Sequence, residues 1–299
     1  MSGALDVIGD LLASIFTLAF VAQALRITVP YVLAAVGGAL TERSGIVDLA
    51  LEAKLLCGAF AAAIIGYETG SIPLAIAGAA VTGAAIGAVQ ALWAIRLRAD
   101  QIVTGVALNI IAFGLTRFLL QVWYGQGANS PQFQGTGTAV WSSPLVWLAI
   151  VLVAAAIVLV DRTVLGLRLR AAGERPDATI AAGVSVGGAR FLAALCGGAI
   201  AGVGGAQLSL AVGGFGDQMS SGRGYVALAA VIMGGWRPAY VALVCLGFGA
   251  AEAVQARMQG VGTGLPPELV RLLPYVVALV LLATLRGRGR APAALGRPT

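Results

Sequence analysis

Apolar stretches follow one another along nearly the whole chain, near residues 10–25, 28–40, 49–66, 72–95, 102–123, 143–160, 189–212, 224–234, 237–257 and 270–286. A helix needs roughly 20 apolar residues to cross a bilayer, so 28–40 and 224–234 are short for a span. Only 11% of residues are charged and mean hydropathy is +0.92, against roughly 25% charged in a soluble protein. In lipid such a backbone must satisfy its polar groups internally, and runs this continuous read as helices. The expected fold is all-α and polytopic, with about ten transmembrane helices in a single transmembrane domain over residues 1–299. Glycine, at 42 residues, suits close packing between membrane helices.

The net charge of +6 comes from arginines placed between apolar runs, a positive-inside pattern rather than a nucleic-acid surface. If every run crosses, Arg43, Arg96, Arg98, the segment 161–190 and the tail arginines Arg286, Arg288, Arg290 and Arg297 share one side. That side is then cytoplasmic, and both termini lie on it. Arg26, Arg223 and Arg271 are exceptions. The stretch from Tyr124 to Ser143 has no charged residue, and Trp123, Tyr124, Trp141 and Trp147 around it suit a membrane interface. A cleavable leader is not expected, because Asp6 and Asp10 stand where basic residues would precede one.

Several chemistries are excluded by residue type. Histidine is absent, which removes His-ligated metal sites and Ser-His-Asp catalysis. Lys54 is preceded by Ala53 rather than glycine, so no Walker A loop exists and the chain does not hydrolyse ATP. Cys57, Cys196 and Cys245 lie inside apolar runs as small hydrophobes. No cofactor or metal is expected on this chain.

Residues 161–190 form the one long polar interruption and hold five arginines. Within them Gly173, Glu174, Pro176 and Asp177 read as a helix start, since proline and acidic residues favour the first turn. Gly183 reads as the left-handed cap at the far end. The spacing predicts a short helix from about Glu174 to Ala182. A capped helix on the cytoplasmic side needs a partner to be useful.

The chain also hints at duplication. Gly45-Ile-Val-Asp-Leu-Ala-Leu and Gly224-Tyr-Val-Ala-Leu-Ala-Ala agree at Gly, Val, Leu and Ala, and they start from opposite faces, as an inverted repeat of five helices requires. Asp48 and Glu52, four apart, are placed on one helix face, with Lys54 roughly opposite Glu52. Ionisable groups at membrane depth often mark a transport path, and interfacial positions are the alternative. Gln101, Thr104 and Asn109, with Gln90, Gln207 and Gln255 elsewhere, suit a pore for a neutral, hydrogen-bonding solute or bonds between helices. Glu252 is expected to pair with Arg257 or to face a cavity. The glycines at 197–205 and 213–224 read as close helix packing and turns.

Four ordered blocks carry a family resemblance: Glu42-Arg-Ser-Gly-Ile-Val-Asp-Leu-Ala-Leu-Glu52, Ala99-Asp-Gln-Ile-Val-Thr-Gly-Val-Ala-Leu-Asn109, Arg170-Ala-Ala-Gly-Glu-Arg-Pro-Asp-Ala178 through Ala182-Gly-Val184, and Gly222-Arg-Gly-Tyr-Val-Ala-Leu-Ala-Ala-Val-Ile232 to Trp236-Arg-Pro238. The chain resembles the permease subunit of bacterial ABC importers for ribose-type sugars, branched-chain amino acids and nucleosides, closest to the nucleoside (simple sugar) subgroup. The family usually has Asn at position 48, Gly at 53 and an apolar residue at 54, so Asp48, Ala53 and Lys54 depart together, which bears on substrate rather than fold.

The resemblance implies a non-enzymatic subunit of the bacterial plasma membrane that moves a neutral polar metabolite, a nucleoside first, inward by alternating access. ATP is used by separate ATP-binding cassette subunits docking on the cytoplasmic loop 161–190, through Ala172, Gly173, Glu174, Arg175, Pro176, Asp177 and Gly183. It also implies a second, non-identical permease subunit and an extracytoplasmic solute-binding protein, besides the lipid bilayer. Asp48, Glu52, Gln101 and Asn109 are the candidates for the substrate pathway. A sugar or branched-chain amino acid permease and an ion-coupled secondary transporter stay open as alternatives.

Overall fold

The computed structural model describes residues 17–136 and 143–261, positions 266, 269, 270, 272, 276, 277 and 280, and residues 290–297. Among these residues there are ten α-helices and no strand, one isolated bridge joining Asn129 to Gly216. The helices are α1 (Leu18–Arg43), α2 (Leu51–Thr69), α3 (Ile72–Ile95), α4 (Gln101–Tyr124), α5 (Pro144–Arg162), α6 (Val164–Glu174), α7 (Pro176–Ala181), α8 (Val186–Val212), α9 (Arg223–Met233) and α10 (Pro238–Val261). Six of them, α1, α3, α4, α5, α8 and α10, are long and apolar enough to cross a membrane. Helix α2 has 19 residues but carries Glu52, Lys54 and Glu68.

The apolar windows 10–25 and 28–40 do not form two crossings. From Leu18 they run together as α1, 26 residues with Pro30 inside, about 39 Å at 1.5 Å per residue. Leu18 and Arg43 therefore sit at opposite ends of one rod. The window 224–234 is the 11-residue α9, about 16 Å long and well short of a bilayer core of roughly 30 Å. Most of window 270–286, with residues 1–16 and Arg271, Arg286 and Arg288, lies outside the described residues.

Helix α8 is the centre of the bundle, packed against α1, α2 and α3, with α10 on α1 and α4 on α2 and α3. Its glycines make this possible. A Cβ on Gly197 would strike the Gly37 carbonyl oxygen of α1, and one on Gly202 the Ala79 carbonyl oxygen of α3; the α2 residue Gly58 in turn abuts the Gly202 carbonyl. Small residues thus bring three backbones onto one helix, the packing mode that replaces the hydrophobic effect within lipid. The glycines at 213 and 222 serve turns instead, with φ of 78° and 79°.

The helix ends follow local chemistry. Asp100 accepts from the amides of Ile102 (2.8 Å) and Val103 (3.0 Å) to start α4, and Ser185 Oγ accepts from Gly188 N at 3.1 Å to start α8. Both satisfy donors that a helix leaves open in its first turn. Helices α2 and α4 stop at the left-handed Gly70 and Gly125.

Candidate functional site

Between α1 and α2 the chain leaves the helix at Ser44 and runs through Ile46, Val47, Asp48 and Leu49 to Ala50 without helical bonding, although most of these residues are buried. Unwound backbone inside a membrane bundle must find partners, and side chains from four places supply them. Val47 N donates to Gln101 Oε1 (2.8 Å), and Val47 O accepts from Gln90 Nε2 (2.9 Å). Asp48 N donates to Glu42 Oε1 (3.1 Å). Asn109 accepts from Ala53 N and donates to Leu49 O, both at 2.9 Å. Asn109 Nδ2 also reaches Tyr225 Oη on α9 at 3.1 Å.

The same junction takes in the charges. Lys54 Nζ lies 2.6 Å from both carboxylate oxygens of Asp48, with both side chains fully buried. Neither snorkels to an interface. Asp48 stands before the first turn of α2, not on a shared face with Glu52, because the side-chain cradle holds 46–48 out of the helix. Glu52 reaches across to the start of α9. It accepts from Gly222 N (2.8 Å), Gly224 N (2.7 Å) and Ser220 Oγ (2.6 Å). A carboxylate facing open N–H groups and the positive end of a helix dipole is favourably placed. A Cβ on Gly224 would collide with the backbone of Glu52, so the N-termini of α2 and α9 abut. At the far end of α9, Trp236 Nε1 donates to Glu42 Oε2 at 2.5 Å.

The structure thus brings Asp48, Glu52, Gln101 and Asn109 together in one buried junction, 0% to 6% exposed. Their polar atoms bond to the protein's own backbone and to Lys54, Ser220 and Tyr225. Sequence reasoning placed these four but did not find Gln90 and Glu42 as partners of the same segment. Gln90 stands out as a glutamine in an otherwise apolar run, which is the signal that was available.

On the Arg43 side the polar insert folds as two helices rather than one loop. Thr163 Oγ1 caps α6 through Gly166 N at 3.0 Å, and α6 continues to Glu174. Glu174 therefore ends a helix and does not begin one. The break falls at Arg175, with φ −142° and ψ 76°, since a residue before proline is driven out of the helical region. The short helix is Pro176–Ala181, with Pro176 at its start, Asp177 in its first turn and Gly183 at φ 76°. Val184 N donates to Thr179 O (3.1 Å) and Gly183 N to Ile180 O (2.9 Å), which closes the end as a Schellman-type cap.

Ala172 and Gly173 are buried, and a Cβ on Gly173 would strike the Arg43 carbonyl at the end of α1. Asp177, Ile180 and Gly183 are exposed, Ile180 by 59%. The segment is anchored on one face and free on the other. Residues 290–297 tie it further. Ala294 N donates to Gly173 O (2.8 Å), Gly296 N to Gly45 O (3.0 Å), and Arg190 bridges Arg297 O (2.8 Å) and Ser44 O (3.1 Å). One strip of tail therefore contacts both the α6 end and the start of the unwound segment. A cavity of about 350 Å³ beside it is lined by Arg43, Leu167, Arg170, Ala171, Glu174 and Pro292.

Residues 20–282 match the family described as "Branched-chain amino acid transport system / permease component". The chain belongs to this permease family. The permease is 34% identical to the nucleoside ABC transporter permease protein NupC of Lactococcus lactis subsp. cremoris, over 92% of this chain and 95% of that one. It is 30% identical to the guanosine ABC transporter permease protein NupQ of Bacillus subtilis, over 90% and 92%. It is 33% identical to the putative glucose ABC transporter permease protein TsgC13 of Haloferax volcanii, over 79% and 76%. No solved structure gives a significant match. The permease is accordingly a multi-pass membrane subunit of an ABC transporter and not an enzyme.

Proposed function

We propose that this permease carries nucleosides inward across the plasma membrane, driven by ATP-binding cassette ATPases that dock on α6 and α7. The observation that carries the reading is the construction of that segment: Ala172 and Gly173 locked against the end of α1, with Asp177 and Ile180 of α7 presented outward. An exposed isoleucine on a six-residue helix suits a groove in another protein. The relatives named for nucleoside and guanosine transport, matched over nine-tenths or more of each chain, favour a nucleoside as solute. The arginine-rich side, with Glu174 and the tail 290–297, is then cytoplasmic. The expected position of the N-terminus falls on residues 1–16, outside the described residues.

In this reading a solute-binding protein delivers to the opposite face, and a non-identical sister permease completes the membrane assembly. An inverted repeat relates the halves around α2 and α9, whose N-termini meet at Glu52 and Gly224. Transporters of several kinds place broken-helix N-termini at such a central point. Movement of α6 and α7 by the ATPases reaches this point through Arg43, Ser44 and the segment 45–50. Uptake of labelled nucleoside by vesicles holding the whole importer tests the reading. Ile180→Asp, on the exposed face of α7, is expected to abolish uptake while the subunit still accumulates in the membrane; undiminished uptake would remove the coupling role of the segment.

A further inference from the structure

In the half of the bundle away from Arg43 lies a cavity of about 210 Å³, bounded by α1, α8, α9 and α10. At about 30 Å³ per water molecule it has room for roughly seven waters, the scale of a monosaccharide ring. Its wall includes Arg26, Ile27, Gln207, Leu208, Arg223 and Glu252. Arg26 and Arg223 are two of the arginines that break the positive-inside pattern, and Glu252 is the carboxylate within α10. One cavity thus collects charges that neither sidedness nor the junction at Glu52 explains.

Most of that charge is already compensated. Glu252 accepts from Arg223 Nη2 and from Tyr31 Oη, both at 2.6 Å, and the Arg223 guanidinium lies 5.8 Å from the Tyr31 ring centre. Arg223 is further held by the carbonyl of Met219 at 3.2 Å. Glu252 does not pair with Arg257, which bonds Gln23 Oε1 at 3.1 Å. Gln207 differs. It is 2% exposed, and its Oε1 has no hydrogen-bond donor in the structure. A buried carboxamide oxygen is ordinarily satisfied, and this one belongs to a residue of the cavity wall.

We propose that this cavity is a solute site in which the Gln207 carboxamide accepts a hydroxyl of a neutral, hydroxylated ligand, the ribose of a nucleoside. The inference rests on the nucleoside reading above. The Arg223–Glu252 pair is closed on itself and offers no free charge to a ligand, which leaves Arg26 and Gln207 as the polar groups for it to meet. Arg26 offers donors to ring or carbonyl oxygens, and Ile27 and Leu208 give an apolar wall for a flat face. A site of this kind discriminates by hydroxyl groups, since an analogue lacking one leaves the amide unpaired.

The test is nucleoside uptake by proteoliposomes containing the complete importer, comparing ribonucleosides with their 2′- and 3′-deoxy analogues. Wild type and Gln207→Leu are measured with the same solute-binding protein, so its own preference cancels between them. The wild type is expected to favour the ribonucleoside over at least one deoxy analogue by about tenfold more than Gln207→Leu does, with stimulated ATP hydrolysis retained. Arg26→Gln, at a half-buried position, is expected to raise the KM for uptake with little change in maximal rate. Equal discrimination by wild type and Gln207→Leu, or an unchanged KM in Arg26→Gln, overturns the site while leaving nucleoside transport standing. Absence of any nucleoside uptake by the wild-type importer overturns both. If Gln207→Leu fails to assemble, Gln207→Glu takes its place: its carboxylate still accepts a hydroxyl, so preserved discrimination supports the site and lost discrimination counts against it.

Discussion

Lys54 and Asp48 form a closed, fully buried ion pair, with Nζ 2.6 Å from each carboxylate oxygen. They are also two of the positions at which the chain departs from the pattern it resembles, where Asn and an apolar residue are usual. The two departures meet in space. A buried pair of this kind offsets desolvation only while both partners are present, so the substitutions are comprehensible as a unit and costly one at a time.

The first prediction follows from that unit. Lys54→Leu alone leaves Asp48 charged and unpaired, and is expected to cost about 3–5 kcal/mol of stability. The double variant Asp48→Asn with Lys54→Leu is expected to recover most of the loss. Denaturation of the purified subunit in detergent, run as a double-mutant cycle, measures it; simple additivity of the two single changes would show that the pair is not coupled.

A second prediction concerns Glu52, which holds Gly222 N, Gly224 N and Ser220 Oγ at the start of α9. Glu52→Gln keeps the shape but loses the charge and one acceptor, and hydrogen bonds to charged groups contribute about 1.5–3 kcal/mol each. The variant is expected to unfold earlier and to speed hydrogen exchange at 222–226. Unchanged exchange there would mean that α9 is held by packing alone.

Glycine at 202 gives the third. With the Ala79 carbonyl and Gly58 against it, Gly202→Val forces α8 away from α2 and α3, and overpacking of this kind costs about 1–3 kcal/mol or more. Accumulation of folded subunit in the membrane should fall several-fold, as read by fluorescence-detected size exclusion. Substitution at Gly114, whose added Cβ meets no atom within 4 Å, should leave accumulation near wild type.

The fourth concerns the tail. Removing residues 290–299 frees the carbonyls of Gly173 and Gly45 from Ala294 N and Gly296 N, and takes Arg297 O away from Arg190. Hydrogen exchange in 171–184 is expected to rise, while the α8 glycine contacts with α1 stay protected. Equal exchange with and without the tail would show that α6 and α7 need no strap.

Much of this was legible before any coordinates. Long apolar runs define helices in lipid because backbone groups have no other partner there, and Pro176, Asp177 and Gly183 mark α7 because their chemistry is local. The windows 10–25 and 28–40 misled, since Arg26 and Pro30 look like a break between them. A membrane helix tolerates proline inside it when neighbours supply the lost bonds, and α1 runs on through both positions.

Glu174 shows the limit of local reading: the residues around it permit either the end of one helix or the start of the next, and only the Thr163 cap and the Arg175 break decide. Which polar residues meet is further out of reach. The sequence alone determined that the chain is helical, lies in lipid and carries a capped polar segment, because those follow from neighbours a few residues apart. Only the tertiary structure decided that Gln90, Gln101, Asn109 and Glu42 cradle residues 46–50, that Glu52 caps α9, and that Gln207 and Glu252 line one cavity. Those pairings span from 6 to more than 150 positions along the chain, and they depend on how close the glycines of α8 let the helices come.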